Sequence, residues 1–191
     1  ERVIAGTTAQ GSTLIAPGEI YHAGSGITII GEISGVVTTR VKRISEIFNR
    51  AGIKTEVSGN IQGVIWDKLI INVGINAITA LTRMRNCELL EVPEVKEVAR
   101  KAVMEAVKVA QKAGIKLEVK NPVEEVFRVA RLTAKNKSSM LQDVERKRKT
   151  EIDAINGAIV ILGKKYGVKT PVNETLTALI KGLELTITRR K

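Results

Sequence analysis

The chain is short of the residues that build many catalytic and cross-linked centres. It has one cysteine, Cys87, and one histidine, His22. A single cysteine forms no internal disulfide and no cysteine-based metal cluster, and it fits a reducing cytoplasm. A single histidine argues against a His-rich metal site and against a Ser-His-Asp triad, so no metal is expected. Aromatic residues make up 3% of the sequence, which is poor for stacking on nucleobases. No uninterrupted apolar run approaches the ~18 residues of a membrane span. The expectation is a soluble chain with neither membrane nor nucleic acid as partner. Methionine is missing from the first position. Arg2–Gly6 already reads as a strand behind Glu1, which suggests a sequence cut from something longer.

The 191 residues suffice for one large domain, or for a small domain plus part of another, and 43% are hydrophobic. The formal net charge is +11. Basic residues are spread along helices and mixed with acids, as in Glu94-Val95-Lys96-Glu97, unlike the clustered stripe of a nucleic-acid binder. The densest run, Glu145-Arg146-Lys147-Arg148-Lys149, reads either as a solvated helix end or as an anion-facing segment. The excess also suits a ligand that carries phosphates and a carboxylate.

Hydrophobic periodicity divides the chain. Short strands are expected at Ser12–Ile15, Glu19–His22 and Ile27–Ile30, with Ala16-Pro17-Gly18 as the first turn. Val36–Ala51 has helical apolar spacing and is stopped by Gly52; Lys54–Val57 reads as one more strand. Ser58-Gly59-Asn60 marks a domain boundary. Beyond it Ile61–Met84, Glu94–Ala113, Pro122–Ala134, Ser138–Arg146, Thr150–Tyr166 and Pro171–Leu185 read as helices. Pro122 and Pro171 lie in first turns, and Gly114 and Gly167 lie at stops.

Two constellations can carry chemistry. Lys68, Asn72 and Asn76 recur every fourth residue, one polar stripe on an otherwise apolar helix. The stripe is either a buried hydrogen-bond network with Lys68 reaching solvent, or the wall of a polar cleft in which a lysine supplies a proton. The second is Asn136-Lys137-Ser138-Ser139, followed by Thr150-Glu151-Ile152-Asp153. Its hydroxyls and amide either cap a helix or face a carboxylate. Glu151 either stabilises the first turn of its helix or works in the cleft. Ser139 and Glu151, twelve positions apart, would be ~18 Å apart on one straight helix. A break near 146–149 with a restart at Thr150, whose Thr-x-x-Asp spacing resembles a capping box, would bring them to one site.

Read in order, Trp66-x-Lys68-x-x-x-Asn72-x-x-x-Asn76, then Asn136-x-Ser138-Ser139-Met140-Leu141-Gln142-Asp143, then Thr150-Glu151-Ile152-Asp153-x-Ile155-Asn156-Gly157 resemble the helical domain of the ketopantoate reductases (2-dehydropantoate 2-reductases). The resemblance covers nearly the whole chain. It implies an α/β remnant over 1–59, the later strands and last helix of a Rossmann-type dinucleotide-binding domain. An all-α substrate-binding and catalytic domain, similar to the 6-phosphogluconate dehydrogenase C-terminal type, would follow over 60–191. It implies that the parent protein reduces 2-dehydropantoate to (R)-pantoate, toward pantothenate and coenzyme A, with NADPH or NADH; the fragment alone is expected to be inactive. The resemblance makes Lys68 the general acid and gives Glu151 the substrate's hydroxyl region. Asn72 and Asn76 then bind substrate oxygens, Ser139 with Asn136 faces the carboxylate, and Asn86 matches a cleft asparagine less firmly. With no substrate between them, Lys68 and Glu151 are expected to pair, directly or through water.

One departure matters. The family's Gly-x-Gly-x-x-Gly turn is absent: Gly24-Ser25-Gly26 is followed by Ile29 where the third glycine belongs, and by a strand where a helix belongs. Residues that bind the cofactor are therefore not assigned, and a further cleft asparagine of the family would precede Glu1. A non-catalytic helical binding or dimerisation module, with a homodimer as its partner, is the alternative class. A reductase of a related small 2-oxoacid is the alternative within the enzyme class.

Overall fold

The structure, a computed structural model, describes residues 3–189. It divides into two compact units, Glu1–Ile65 and Trp66–Lys191. A strand-rich part is followed by helices, in the order that the sequence pattern predicts.

The first unit holds a three-stranded sheet ordered β1-β4-β5, from β1 (Ala5–Thr8), β4 (Thr28–Gly31) and β5 (Thr55–Val57). β1 runs antiparallel to β4, pairing Gly6 with Ile30, while β4 and β5 are parallel and joined across α1 (Thr39–Arg50). A separate hairpin, β2 (Gly11–Ala16) and β3 (Glu19–Gly24), turns at Pro17-Gly18, where Gly18 takes φ 83°. The strand expected at Arg2–Gly6 begins at Ala5 instead, and Glu1 and Arg2 lie outside the described residues. The helix expected from Val36 starts three residues later. Thr38 is extended, and its hydroxyl accepts the Val41 N–H at 3.2 Å, so the cap leaves Val36 and Val37 exposed ahead of the helix.

The second unit is helical: α3 (Pro93–Lys112), α4 (Pro122–Leu132), α5 (Ser139–Glu145), α6 (Asn156–Tyr166) and α7 (Pro171–Arg189), with a short 3-10 turn at Glu88–Leu90 that periodicity does not predict. The unit boundary falls inside α2 (Ile61–Thr82). By length and composition alone α2 would suit a membrane span. Its packing accounts for the composition otherwise: Ile70, Val73, Ala77 and Ala80 are fully buried in a core shared with α3, α4, α6 and α7. Gly74 permits a close approach, since a Cβ there would sit 2.7 Å from Val126 and 2.8 Å from Val103.

The break between α5 and α6 is present, but the restart at Thr150 is not. α5 ends at Glu145, and α6 begins only at Asn156. Thr150 Oγ1 accepts the N–H of Ile152, two residues on, at 3.2 Å rather than that of Asp153. The Asp153 carboxylate turns away to Lys181 at 2.6 Å, and Glu184 takes the Thr150 N–H at 2.7 Å. One half of the capping box is thus diverted to α7 and the other to the Ile152 N–H, and residues 151–155 form a bend and turns.

Candidate functional site

The polar stripe on α2 is graded by depth. Lys68 is exposed, Asn72 half-buried and Asn76 buried. At ~1.5 Å per residue the stripe is about 12 Å long. Its inner end meets the start of α5. Ser138 caps that helix by accepting the Leu141 N–H at 3.1 Å, and its hydroxyl lies 2.7 Å from that of Thr79. One residue on, Ser139 Oγ accepts from Asn76 Nδ2 at 3.4 Å. Two constellations far apart in sequence are thereby joined through side chains of matching donor and acceptor type.

Asn86 and Asn136 form a second contact. The Asn86 N–H donates to the Asn136 carbonyl at 3.0 Å, and Asn86 Nδ2 donates to Thr133 Oγ1 at 2.9 Å. Arg85 fastens the same loop through the Lys135 carbonyl at 2.8 Å. Asn136 acts here through its backbone and keeps its side chain exposed; Asn86 Oδ1 is buried without a protein partner. Glu151 is exposed in the turns ahead of α6, not in its first turn, and its carbonyl accepts from Ala154 and Ile155. The two contacts above do not include Lys68 or Glu151.

Three residues near this face were missed by spacing. Thr79 lies three residues beyond Asn76 on the same helix face, which an i, i+3 step catches and the four-residue repeat, continuing to Ala80, does not. Asp67 beside Lys68 accepts the N–H groups of Glu118 and Val119 at 3.0 and 3.3 Å. Burial raises its carboxyl above the ordinary range against the pull of those two donors. Asn156 is fully buried; its Nδ2 donates to Asn173 Oδ1 at 2.9 Å and lies 3.4 Å from the Val73 carbonyl on α2.

The first unit lacks the turn that cradles a dinucleotide among its described residues. After Gly24-Ser25-Gly26 the chain enters β4, not a helix. Gly26 is glycine for another reason: a Cβ there would lie 2.3 Å from the Ala9 carbonyl oxygen. Among the described residues α1 is the helix that lies wholly within this unit, and its start already faces the Glu32 carboxylate, which accepts from Thr38 Oγ1 at 2.6 Å and Arg40 Nη2 at 2.5 Å. The described residues of this unit do not fit a cofactor pyrophosphate.

A family model for the C-terminal part of ketopantoate reductase, PanE/ApbA, matches residues 60–184. The chain therefore belongs to the ketopantoate reductase family. It is similar to the 2-dehydropantoate 2-reductase of Archaeoglobus fulgidus, with 39% identity over 183 residues, 96% of this chain and 61% of that protein. Among solved structures, a PanE/ApbA family ketopantoate reductase from Ralstonia eutropha JMP134 matches with TM-score 0.89 and 31% identity, over 97% of this chain and 60% of the other. A ternary structure of D-mandelate dehydrogenase with NADH and anilino(oxo)acetate matches with TM-score 0.87 and 29% identity, over 97% and 61%. The chain thus spans about three-fifths of the length of these relatives.

Proposed function

We propose that this chain is the substrate-binding, proton-donating part of a longer reductase that converts 2-dehydropantoate to (R)-pantoate. The observation that carries the reading is the Asn76–Ser139 contact, which joins two of the three family motifs on one face within the matched family region. Reduction of a 2-oxoacid adds hydride to C2 and a proton to its oxygen. NADPH or NADH supplies the hydride when bound.

The chain's own residues supply the rest. Lys68, at the solvent end of the stripe, holds the carbonyl oxygen and delivers the proton as the alkoxide forms. Asn72 and Asn76 donate amide hydrogens to substrate oxygens. Ser139 and Asn136 face the carboxylate, with Asn86 holding the loop that carries Asn136. Glu151 takes the substrate hydroxyl. The grading of burial supports this order, because a proton donor must re-protonate from water while positioning amides are best fixed by packing.

The test is Lys68→Ala in a protein of the relatives' full length, assayed by NADPH oxidation with 2-dehydropantoate. General acid catalysis is typically worth about 10²–10⁴-fold, and kcat is expected to fall by at least that lower figure. A variant with wild-type kcat overturns the assignment. The similarity to D-mandelate dehydrogenase supports a second reading, a related 2-oxoacid as substrate. A higher kcat/KM for the 2-oxoacid of mandelate than for 2-dehydropantoate would favour it.

A further inference from the structure

We infer that the helical unit carries a second anion site, separate from the proposed catalytic face, in a groove between the α5–α6 connection and the C-terminal half of α7. Its ligand class is a small molecule bearing two or more phosphate groups.

Two cavities, of about 460 and 440 Å³, share Lys147 and Ile187 and so form one groove. Each is of small-molecule size. Lys147, Arg148, Lys149 and Lys181 line the first, and Arg83 joins Lys147 in the second. Three carboxylates also line the groove, and each is already engaged. Asp153 pairs with Lys181 at 2.6 Å, Glu145 pairs with Lys137 at 2.7 Å, and Glu184 accepts the Thr150 N–H. Lys181 pulls the Asp153 carboxyl below its ordinary range. Arg83, Lys147, Arg148 and Lys149 form no direct ion pair with a described carboxylate. None of the seven residues assigned to substrate or proton transfer lines either cavity.

The backbone gives an independent reason. Four helices end with the same six-residue turn, in which Ile53, Ile115, Arg148 and Val168 donate to carbonyls five residues back. The left-handed position of that turn is Gly52, Gly114 or Gly167 in three of them and Lys147, at φ 55°, in the fourth. Among the described residues only one other non-glycine has positive φ, Arg83 at 62°, and it lines the same groove. Attraction to the helix C-terminus does not require this placement. α1, α3 and α6 put their cations, Arg50, Lys112 and Lys164 with Lys165, in the last helical turn and keep glycine behind them. A strained lysine at a glycine position, aimed with a strained arginine into one cavity, is the pattern of a binding site.

The probe is inorganic pyrophosphate, titrated by calorimetry into the 191-residue chain at fixed ionic strength with no substrate or cofactor. Saturable one-to-one binding is expected. Lys147→Gly should weaken it about tenfold, the typical loss of one charge-assisted contact. The same variant should melt no lower than the parent chain, since glycine suits φ 55°. Lys108→Gln with Lys112→Gln, on α3 outside the groove, should change binding by less than about twofold if contact rather than net charge holds the ligand. Absence of saturable binding, or equal weakening by the α3 pair, overturns the site. This test is separate from that of the catalytic reading, because Lys68→Ala should leave pyrophosphate binding unchanged. Loss of binding in Lys68→Ala would place the probe on the catalytic face and also overturn the inference.

Discussion

Asn156 shows how one side chain can set the position of a functional face without touching a ligand. It is fully buried at the first position of α6, next to Gly157, and links that helix to Asn173 on α7 while approaching the Val73 carbonyl on α2. Asn173 in turn donates to Glu105 Oε2 at 2.7 Å, and Glu105 caps α7 by accepting the N–H groups of Val172 and Asn173. Val73 lies between Asn72 and Asn76, so the network buttresses the stripe from behind. Asn156→Ala removes both donor contacts and leaves Asn173 Oδ1 without this partner. Its own Oδ1, buried and unpartnered in the native fold, is removed as well and offsets part of the loss. The net cost should be about 1–3 kcal/mol, the range for stranding a buried polar partner. Urea unfolding followed by circular dichroism checks this; a midpoint equal to the parent's would show that the network is idle.

The helices were legible in the sequence because their signals are local. Pro93, Pro122 and Pro171 open helices, Gly52, Gly114 and Gly167 close them, and Ser138 caps the one it precedes. The start of α6 was misread because Thr150-x-x-Asp153 is a local cap signal overruled by partners on α7, Lys181 and Glu184, which no spacing reveals. The candidate site was legible in the same degree. The stripe of Lys68, Asn72 and Asn76 is helical arithmetic, but its junction with Ser139 needed the fold of some sixty intervening residues. One contact between elements also sets a pH dependence. Glu32, just after β4, accepts from Arg40 and Thr38 at the start of α1; chiefly the Arg40 guanidinium holds its carboxyl below the ordinary range. A depressed carboxyl stabilises the fold above its unfolded value, near ~4.3 for glutamate, and that contribution is lost as pH falls through the folded value. Asp67, raised by burial, works in the opposite direction, favouring the fold as pH falls toward its unfolded value. Thermal melts should therefore show Glu32→Gln less stable than the parent at neutral pH, with the gap closing below pH ~4. A gap that stays constant from neutral pH to pH ~3 would mean that Glu32 does not contribute through its charge.

At the scale of the whole chain, the question is what each unit can bind unaided. The net charge of +11 favours anions in general, so only a comparison of ligands and variants can separate a built site from diffuse attraction. The first unit has a parallel strand–helix–strand element in β4, α1 and β5, the kind of unit that can hold a dinucleotide. Its helix start, however, is filled by Glu32 with Thr38 and Arg40, and a carboxylate there repels a pyrophosphate. Its glycine pair runs into a strand, with Gly26 pressed against Ala9. The groove beside Lys147 is lined by cations, three engaged carboxylates and the apolar side chains of Leu185 and Ile187. NADPH titrated into the 191-residue chain should therefore give no more binding than pyrophosphate at equal concentration, and Lys147→Gly should remove most of what there is. Calorimetry on the two proteins with the two ligands decides the matter. A micromolar NADPH constant that survives Lys147→Gly would show that these residues hold the cofactor after all, and the division of labour proposed for this chain would have to be redrawn.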